Sequence, residues 1–389
     1  MPRAFQSPAN LEETQMDEIE KLISTAHGDD LNERLQAVAN LGRIRQPRAL
    51  EALIGLLQDN NNEVSAAAAR ALGEIGDARA VGPLCSILSD YFNGRAAADA
   101  LVMLGAPAVE QVITVLEEKP DLYRRPQIAA EVLSQIGDDR AIGPLIAALQ
   151  RSCTVAFVRN TVPAALVSLG EPAIAQLHAA LRDGNLGCAD ILSKIGSLPA
   201  RQALVDALQD EKEDVRREAA ISLANIEDTR AVVALIDLLP SSNAWTRLVA
   251  VQSLGKFSDA RILEPLISVL ADEDADVQKA AVSTLSSAQI IPESAFTSLV
   301  SLLHHPKFEI CNAATSALCK TGAFGVETMI NLLKDRDKEI RTRAVNALGT
   351  LGDARALEPL RALALEDEDL WVRKSAEKAL KRLGEAHPG

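Results

Sequence analysis

Aromatic and basic residues cluster between positions 91 and 159 of this chain. The whole sequence has only two Trp, two Tyr and seven Phe, so a cluster of rings is informative. The members are Tyr91, Phe92, Arg95, Tyr123, Arg124, Arg125, Phe157 and Arg159. Aromatic side chains and arginines dominate the binding energy of protein interfaces, and arginine pairs well with carboxylates. The cluster therefore predicts a site for an acidic partner. The alternative is that the rings are buried and fill contacts in the protein interior.

Two periodic sets of charged residues could also do chemistry. The arginines are Arg159, Arg216, Arg247, Arg341 and Arg373, and the aspartates are Asp77, Asp138, Asp228, Asp259 and Asp353. The arginines suggest either a basic groove or structural bridges to loop acids and carbonyls. Paired carboxylates can do acid–base work, but one aspartate at each helix start is the pattern of a helix cap. Regular recurrence favours the structural interpretation of both sets.

Composition and motifs exclude several classes of function. A net charge of −14 argues against a nucleic-acid partner, because phosphates require basic surface. The five histidines are scattered and predict no metal site, and no glycine-rich phosphate loop is present. Five cysteines without a CxxC pair predict reduced thiols in a cytoplasmic protein. The sequence shows neither a signal-peptide core nor an apolar run of membrane-spanning length.

The elements that carry these residues come from an internal repeat. Ala71-Leu72-Gly73-Glu74-Ile75-Gly76-Asp77-Ala78-Arg79-Ala80 returns, with few changes, from Ala347. We call the turn at Gly76-Asp77, between one helix pair and the next, a corner. Equivalent corners follow at intervals of roughly thirty residues, a period that predicts stacked helix pairs. The corner positions are Arg45, Gly76, Gly105, Gly137, Gly170, Gly196, Glu227, Ser258, Ala288, Gly322, Gly352 and Gly384. About twelve helix pairs are expected, each with apolar residues at helical spacing.

Two features depart from this regular array. Residues 1–14 lack a helical apolar period and predict a disordered N-terminal tail, which leaves residues 15–386 for the repeats. The repeat at 170–196 is short and suggests either a hinge, a notch for a ligand or simple drift. Trp245 and Trp371 stand at the Phe157 position of later repeats. They predict either a secondary recognition edge or rings that fill the contacts between neighbouring repeats.

The pattern Gly-Asp-x-Arg-Ala-x-x-Pro-Leu, followed by Asp-x-Asp-x-x-Val-Arg, resembles the HEAT repeat, in particular the variety named after phycobilisome lyases. This resemblance implies an all-α, right-handed solenoid whose second helices line a concave face. It also implies two functions. One is a non-catalytic scaffold that binds another protein on the concave face or the helix-start edge, with a phycobiliprotein as one candidate partner. The other is a bilin lyase or chromophore chaperone, in which arginines would hold the propionates of a tetrapyrrole. A cofactor is expected only in the second case.

Overall fold

The computed structural model of the protein describes residues 8–118, 124–151, 156–288 and 291–386. All regular structure in these ranges is helical, which confirms the all-α solenoid predicted from the repeats. The chain forms two compact units, Met1–Ala203 and Leu204–Gly389. Among the described residues, no single helix combines the length and the apolar composition that a membrane span requires.

The first unit contains six helix pairs. Its helices are α1 (Pro8–Ala26), α2 (Leu31–Ile44), α3 (Pro47–Leu56), α4 (Asn62–Ile75), α5 (Val81–Ser86), α6 (Gly94–Leu104), α7 (Val109–Glu117), α8 (Arg124–Ile136), α9 (Ile142–Arg151), α10 (Ala156–Leu169), α11 (Ile174–Asp183) and α12 (Gly187–Ile195). The next helix, α13 (Leu198–Ala207), contains the boundary between the units.

The second unit continues the same alternation. Its helices are α14 (Glu213–Asn225), α15 (Ala231–Asp237), α16 (Ala244–Leu254), α17 (Leu263–Val269), α18 (Ala275–Ser287), α19 (Phe296–Leu302), α20 (Phe308–Cys319), α21 (Ala323–Leu332), α22 (Lys338–Leu351), α23 (Leu357–Glu366) and α24 (Leu370–Ala386). The described part of the chain thus holds twelve helix pairs, as the repeat period predicted.

Within each unit the second helices of successive pairs pack side by side. In the first unit α2 contacts α4 and α4 contacts α6, and in the second α16, α18 and α20 follow one another. Each first helix packs on the second helix of its own pair, from α1 on α2 to α11 on α12 in the first unit and from α15 on α16 to α23 on α24 in the second. Leucines such as Leu41, Leu72 and Leu101 are fully buried between the layers. The core is therefore continuous along a unit, as expected when no helix pair can bury its apolar stripe alone.

The repeated corner works as the sequence indicated. Gly76 ends α4 in the left-handed conformation, with φ 79° and ψ 15°, and donates its N–H to the Leu72 carbonyl at 3.2 Å. The Asp77 carboxylate then accepts the N–H of Arg79 at 2.9 Å. A 3-10 turn leads from there into α5. Arg45 and Glu227, which replace glycine at this position, also have positive φ, of 56° and 55°. At these two positions the positive φ is kept without glycine, whereas Ala288, at the same position, has φ −51° and ψ 131°.

A second glycine of the motif has a different role. A Cβ atom added to Gly73 would lie 2.9 Å from the Ala100 Cα of the next second helix. At Gly349 it would lie 2.9 Å from the Ala379 Cβ. These glycines let neighbouring second helices approach closely, which the sequence analysis did not distinguish from the corner function.

The structure places a helix in part of the predicted tail and a short second helix in the repeat at 170–196. Helix α1 begins at Pro8, inside the segment 1–14 that was assigned to a tail, and residues 1–7 lie outside the described residues. Proline fits the first turn of a helix, because the amide donor it lacks would have no partner there. In the repeat at 170–196, the second helix α12 has only nine residues and starts at Gly187.

Candidate functional site

In the first unit, the start of α6 presents two aromatic rings to solvent. The Asp90 carboxylate accepts the N–H groups of Phe92 and Asn93 at 2.8 and 2.9 Å and so fixes this backbone. Tyr91 is 75% exposed and Phe92 is 66% exposed. Their rings meet edge to face, with centroids 5.0 Å apart. The capped turn therefore holds a rigid aromatic pair on the surface.

Arg95 lies one turn further along α6, beside a shallow polar depression. Its guanidinium is 3.3 Å from the Asp99 carboxylate and 4.0 Å from the Glu131 carboxylate of α8. The depression, about 180 Å³, is lined by Arg95, Ala98, Gln127, Ile128 and Glu131. Because the Arg95 side chain is mostly exposed, these ion pairs are weak and solvent-screened. Arg95 therefore remains accessible to an anionic group.

Arg125 does not belong to this surface, although the sequence analysis placed it there. Its Nη1 lies 2.7 Å from the Glu118 carboxylate, and its Nη2 donates to the Cys85 carbonyl at 3.0 Å. The Nε is buried. The guanidinium thus connects the start of α8 to α5 and to the loop that precedes α8. The contact with Cys85 crosses forty positions of sequence, so no local pattern could have revealed it.

Four other predicted site residues have side chains outside the described part. Tyr123 lies wholly outside it, and Arg124, Phe157 and Arg159 are described only as helical backbone in α8 and α10. Their assignment to the binding surface stays a prediction.

The second unit repeats the aromatic arrangement at Trp245 and Trp371. The Asn243 and Asp369 side chains accept the N–H groups of these residues at 2.9 and 2.8 Å, just as Asp90 does for Phe92. Trp245 is 62% exposed and Trp371 is 73% exposed. Phe92, Trp245 and Trp371 each stand two residues after an Asx side chain that accepts their N–H, and Phe92 does so in the turn before α6. The alternative that they fill joints does not fit, because most of each side chain faces solvent.

Phe308 is an exposed ring that the sequence analysis missed. It is the first residue of α20, one position before the Trp245 and Trp371 position, and its side chain is largely exposed. The Arg343 guanidinium stacks over it, 5.6 Å from the ring centroid. The Nδ1 of His305 accepts the Lys307 N–H in the loop before α20, and Phe308 follows that turn directly. We call Tyr91 and Phe92 in the first unit, and Trp245, Phe308 and Trp371 in the second, the helix-start aromatics.

The periodic arginines are structural in the second unit. Arg247 and Arg341 are buried, and each forms a two-pronged ion pair with an aspartate of the next repeat, Asp272 and Asp367. Arg216 and Arg373 donate to carbonyls of their own loops. These guanidiniums are committed to inter-helix loops, so they form no open basic groove.

The aspartates of the corner motif are helix caps. Asp77 and Asp138 accept both the N–H and the side chain of the arginine two residues later. These hydrogen bonds lower the pKa of Asp77 and of Asp138 to about 2. A carboxylic acid with so low a pKa cannot serve as a general acid near neutral pH. The arrangement supports capping and argues against acid–base catalysis at this position.

Cys85, Cys188 and Cys319 are poor nucleophiles. Burial raises the pKa of the Cys85 thiol to about 11 and that of Cys188 to about 12. Burial also raises the pKa of Cys319. The thiolate is the reactive form, so these residues stay inert at neutral pH.

Comparison with known proteins agrees with the fold. The family model for HEAT repeats matches residues 19–105, 185–247, 232–319 and 320–385, and that for the PBS lyase HEAT-like repeat matches residues 127–151. Phycocyanobilin lyase subunit alpha of Picosynechococcus sp. is 29% identical over 216 residues, which cover 48% of this chain and 80% of that protein. The corresponding protein of Microchaete diplosiphon is 34% identical over 98 residues, 22% of this chain and 33% of that protein.

Among solved structures, importin beta aligns with 96% of this chain and 56% of its own, at 14% identity and a TM-score of 0.40. The HEAT-repeat matches alone cover well over half of the 389 residues. They coincide with the paired helices and capped corners of both units. The chain therefore belongs to the HEAT-repeat family.

Proposed function

We propose that this protein is a non-catalytic scaffold that binds another protein along the starts of its second helices. The observation that carries the proposal is the equivalent placement of exposed rings on Asx-capped turns in both units. Phe92, Trp245 and Trp371 each follow a side chain that fixes their backbone.

Exposed aromatic rings on fixed backbone are well suited to binding. A large ring loses little conformational entropy when its backbone is already held, and its burial removes a large apolar area from water. Such residues are the usual hot spots of protein interfaces. Arg95 adds an accessible cation beside the first pair of rings and favours a partner with carboxylates at that point.

Photocrosslinking of the full chain in its native host tests where the partner sits. A benzoylphenylalanine replaces Phe92, Trp245 or Trp371 in one set, and the exposed first-helix residues Val233 or Leu365 in a control set. We expect the helix-start positions to capture one common partner and the control positions to capture none. Capture of that partner only from Val233 or Leu365 would overturn the proposal.

Alanine substitution then measures the contribution of the rings. With the captured partner purified, Phe92→Ala, Trp245→Ala and Trp371→Ala are each expected to raise Kd by about 10-fold or more, as hot-spot truncations do. Val233→Ala and Leu365→Ala serve as controls and should leave Kd unchanged. The measurement is titration calorimetry at fixed salt, and unchanged affinity in all three aromatic variants would contradict the proposal.

The second candidate function is a bilin lyase or chromophore chaperone. The similarity to phycocyanobilin lyase subunit alpha and the PBS lyase HEAT-like match at 127–151 favour it. In this case Arg95 would bind a propionate of the bilin, and the helix-start aromatics Tyr91 and Phe92 would lie against its rings. The acceptor thiol would belong to the partner, a phycobiliprotein, because burial keeps Cys85 and Cys188 protonated.

Co-expression with a bilin and an apo-phycobiliprotein separates the two candidates. Covalent colour on the partner that depends on this chain, and that Arg95→Glu reduces, would establish the lyase. Stable binding of the partner without added colour would leave the scaffold as the function.

A further inference from the structure

The last described helix, α24, carries a row of cations on one side. Lys374, Lys378, Lys381 and Arg382 are all exposed. At 100° per residue they share one face with Trp371, on the side opposite to the buried Val372, Ala376, Ala379 and Leu383. We call the four cations the basic stripe. In a chain of net charge −14, such a local concentration of positive charge is unusual.

Within the described residues, the cations of the basic stripe are not bound to carboxylates. None of the four forms an ion pair with a described carboxylate, whereas Arg247 and Arg341 of the same unit are fully committed to Asp272 and Asp367. The Lys374 ammonium lies 5.7 Å from the centre of the Trp371 ring, which keeps the indole beside the stripe. Charge and an exposed ring are therefore combined on one helical face.

We propose that the basic stripe of α24 docks an acidic helix of a partner protein, with Trp371 as the apolar anchor at one end. Lys374 and Lys381 are seven residues apart, about 10 Å along the helix axis. Carboxylates at the same spacing on a neighbouring helix can face these cations one by one. Trp371 is shared with the proposed function, but the four cations are not part of it.

The structure favours a protein over a membrane or a nucleic acid. A basic helix that binds a bilayer must bury its apolar face among the lipids. In α24 that face, with Val372, Ala376 and Leu383, is already buried in the protein. A nucleic acid carries phosphates over a length greater than that of the basic stripe, so most of them would face a protein of net charge −14, with Glu377 exposed beside the stripe.

The test uses the full chain and a fluorescein-labelled, 21-residue helical peptide with Glu at positions i, i+4 and i+7 and one Leu for the Trp371 contact. We expect anisotropy to show binding at 50 mM salt. The triple variant Lys374→Glu, Lys378→Glu, Lys381→Glu should weaken it by about 10-fold or more, since attraction becomes repulsion at three points. Trp371→Ala should weaken it by roughly fivefold.

A matched triple variant separates a site from a general charge effect. Lys256→Glu, Lys279→Glu and Lys334→Glu change the net charge equally, at exposed lysines outside α24. Retained peptide binding in this variant supports the basic stripe, and equal loss in both triples overturns it. Tighter binding of a 21-base-pair DNA, or of phosphatidylserine vesicles, than of the peptide also overturns it. Failure here with intact binding of the photocrosslinked partner would leave the proposed function standing.

Discussion

Arg341→Ala is expected to lower the free energy of unfolding of the second unit by about 3–5 kcal/mol, the usual result of breaking a buried ion pair. Arg341 Nε and Nη2 lie 2.8 and 3.0 Å from the two Asp367 oxygens. Its Nη1 donates to the Asp335 carbonyl at 2.9 Å. Removal leaves Asp367, whose side chain is only 4% exposed, as an uncompensated buried charge.

Urea denaturation followed by tryptophan fluorescence measures this loss directly. Both tryptophans of the chain, Trp245 and Trp371, belong to the second unit, so the signal reports that unit. Arg361→Ala is the control, because the Arg361–Glu358 pair is exposed and is worth about 0–1 kcal/mol. Equal shifts of the urea midpoint in the two variants would show that Arg341 has no special structural role.

The helix pairs and their corners were predictable because their determinants are local. An Asp such as Asp77 binds the N–H of a residue two positions later, so the pattern of types along the chain contains both partners. Arg45 and Glu227 could be placed at glycine positions from spacing alone, and both adopt positive φ. Local chemistry repeated at a fixed period is readable without a structure.

The partners of the arginines were only half predictable. The sequence suggested that the arginines bridge to loop acids and to carbonyls, and three of them have an acid six residues earlier, as Arg341 has Asp335. In the structure Arg341 binds the carbonyl of that residue, Asp335, while the carboxylate comes from Asp367, in the next repeat. The choice between these acids depends on how two loops stack, which is a tertiary property.

The candidate site was the least predictable part, since it depends on side-chain direction. Phe92 and Arg125 are both residues at the start of a second helix, but Phe92 faces solvent and Arg125 turns inward to Glu118 and Cys85. Both residues were predicted from the same cluster of aromatic and basic positions. The packing of the neighbouring loop decides between surface and interior.

Substitution of a glycine in the repeated motif is expected to have the second large effect on stability. Gly349→Val is expected to destabilise the second unit by about 3 kcal/mol, the upper part of the range for overpacked cores. The new Cβ would stand 2.9 Å from the Ala379 Cβ and 3.1 Å from its Cα. The branched side chain must therefore push α22 and α24 apart, because backbone lies behind the contact.

The variant Gly352→Ala, three residues later, tests the second reason for a glycine in the motif, which is a backbone with positive φ. Nothing lies within 4 Å of a Cβ at Gly352, but its φ of 72° costs a non-glycine residue about 1–2 kcal/mol. Both variants are compared by urea denaturation with tryptophan fluorescence. A double variant Gly349→Val, Ala379→Gly should recover part of the loss, since it reopens the contact between the helices. The same Ala379→Gly change should not rescue Gly352→Ala, and rescue of both or of neither would contradict the assignment of close helix packing to Gly349.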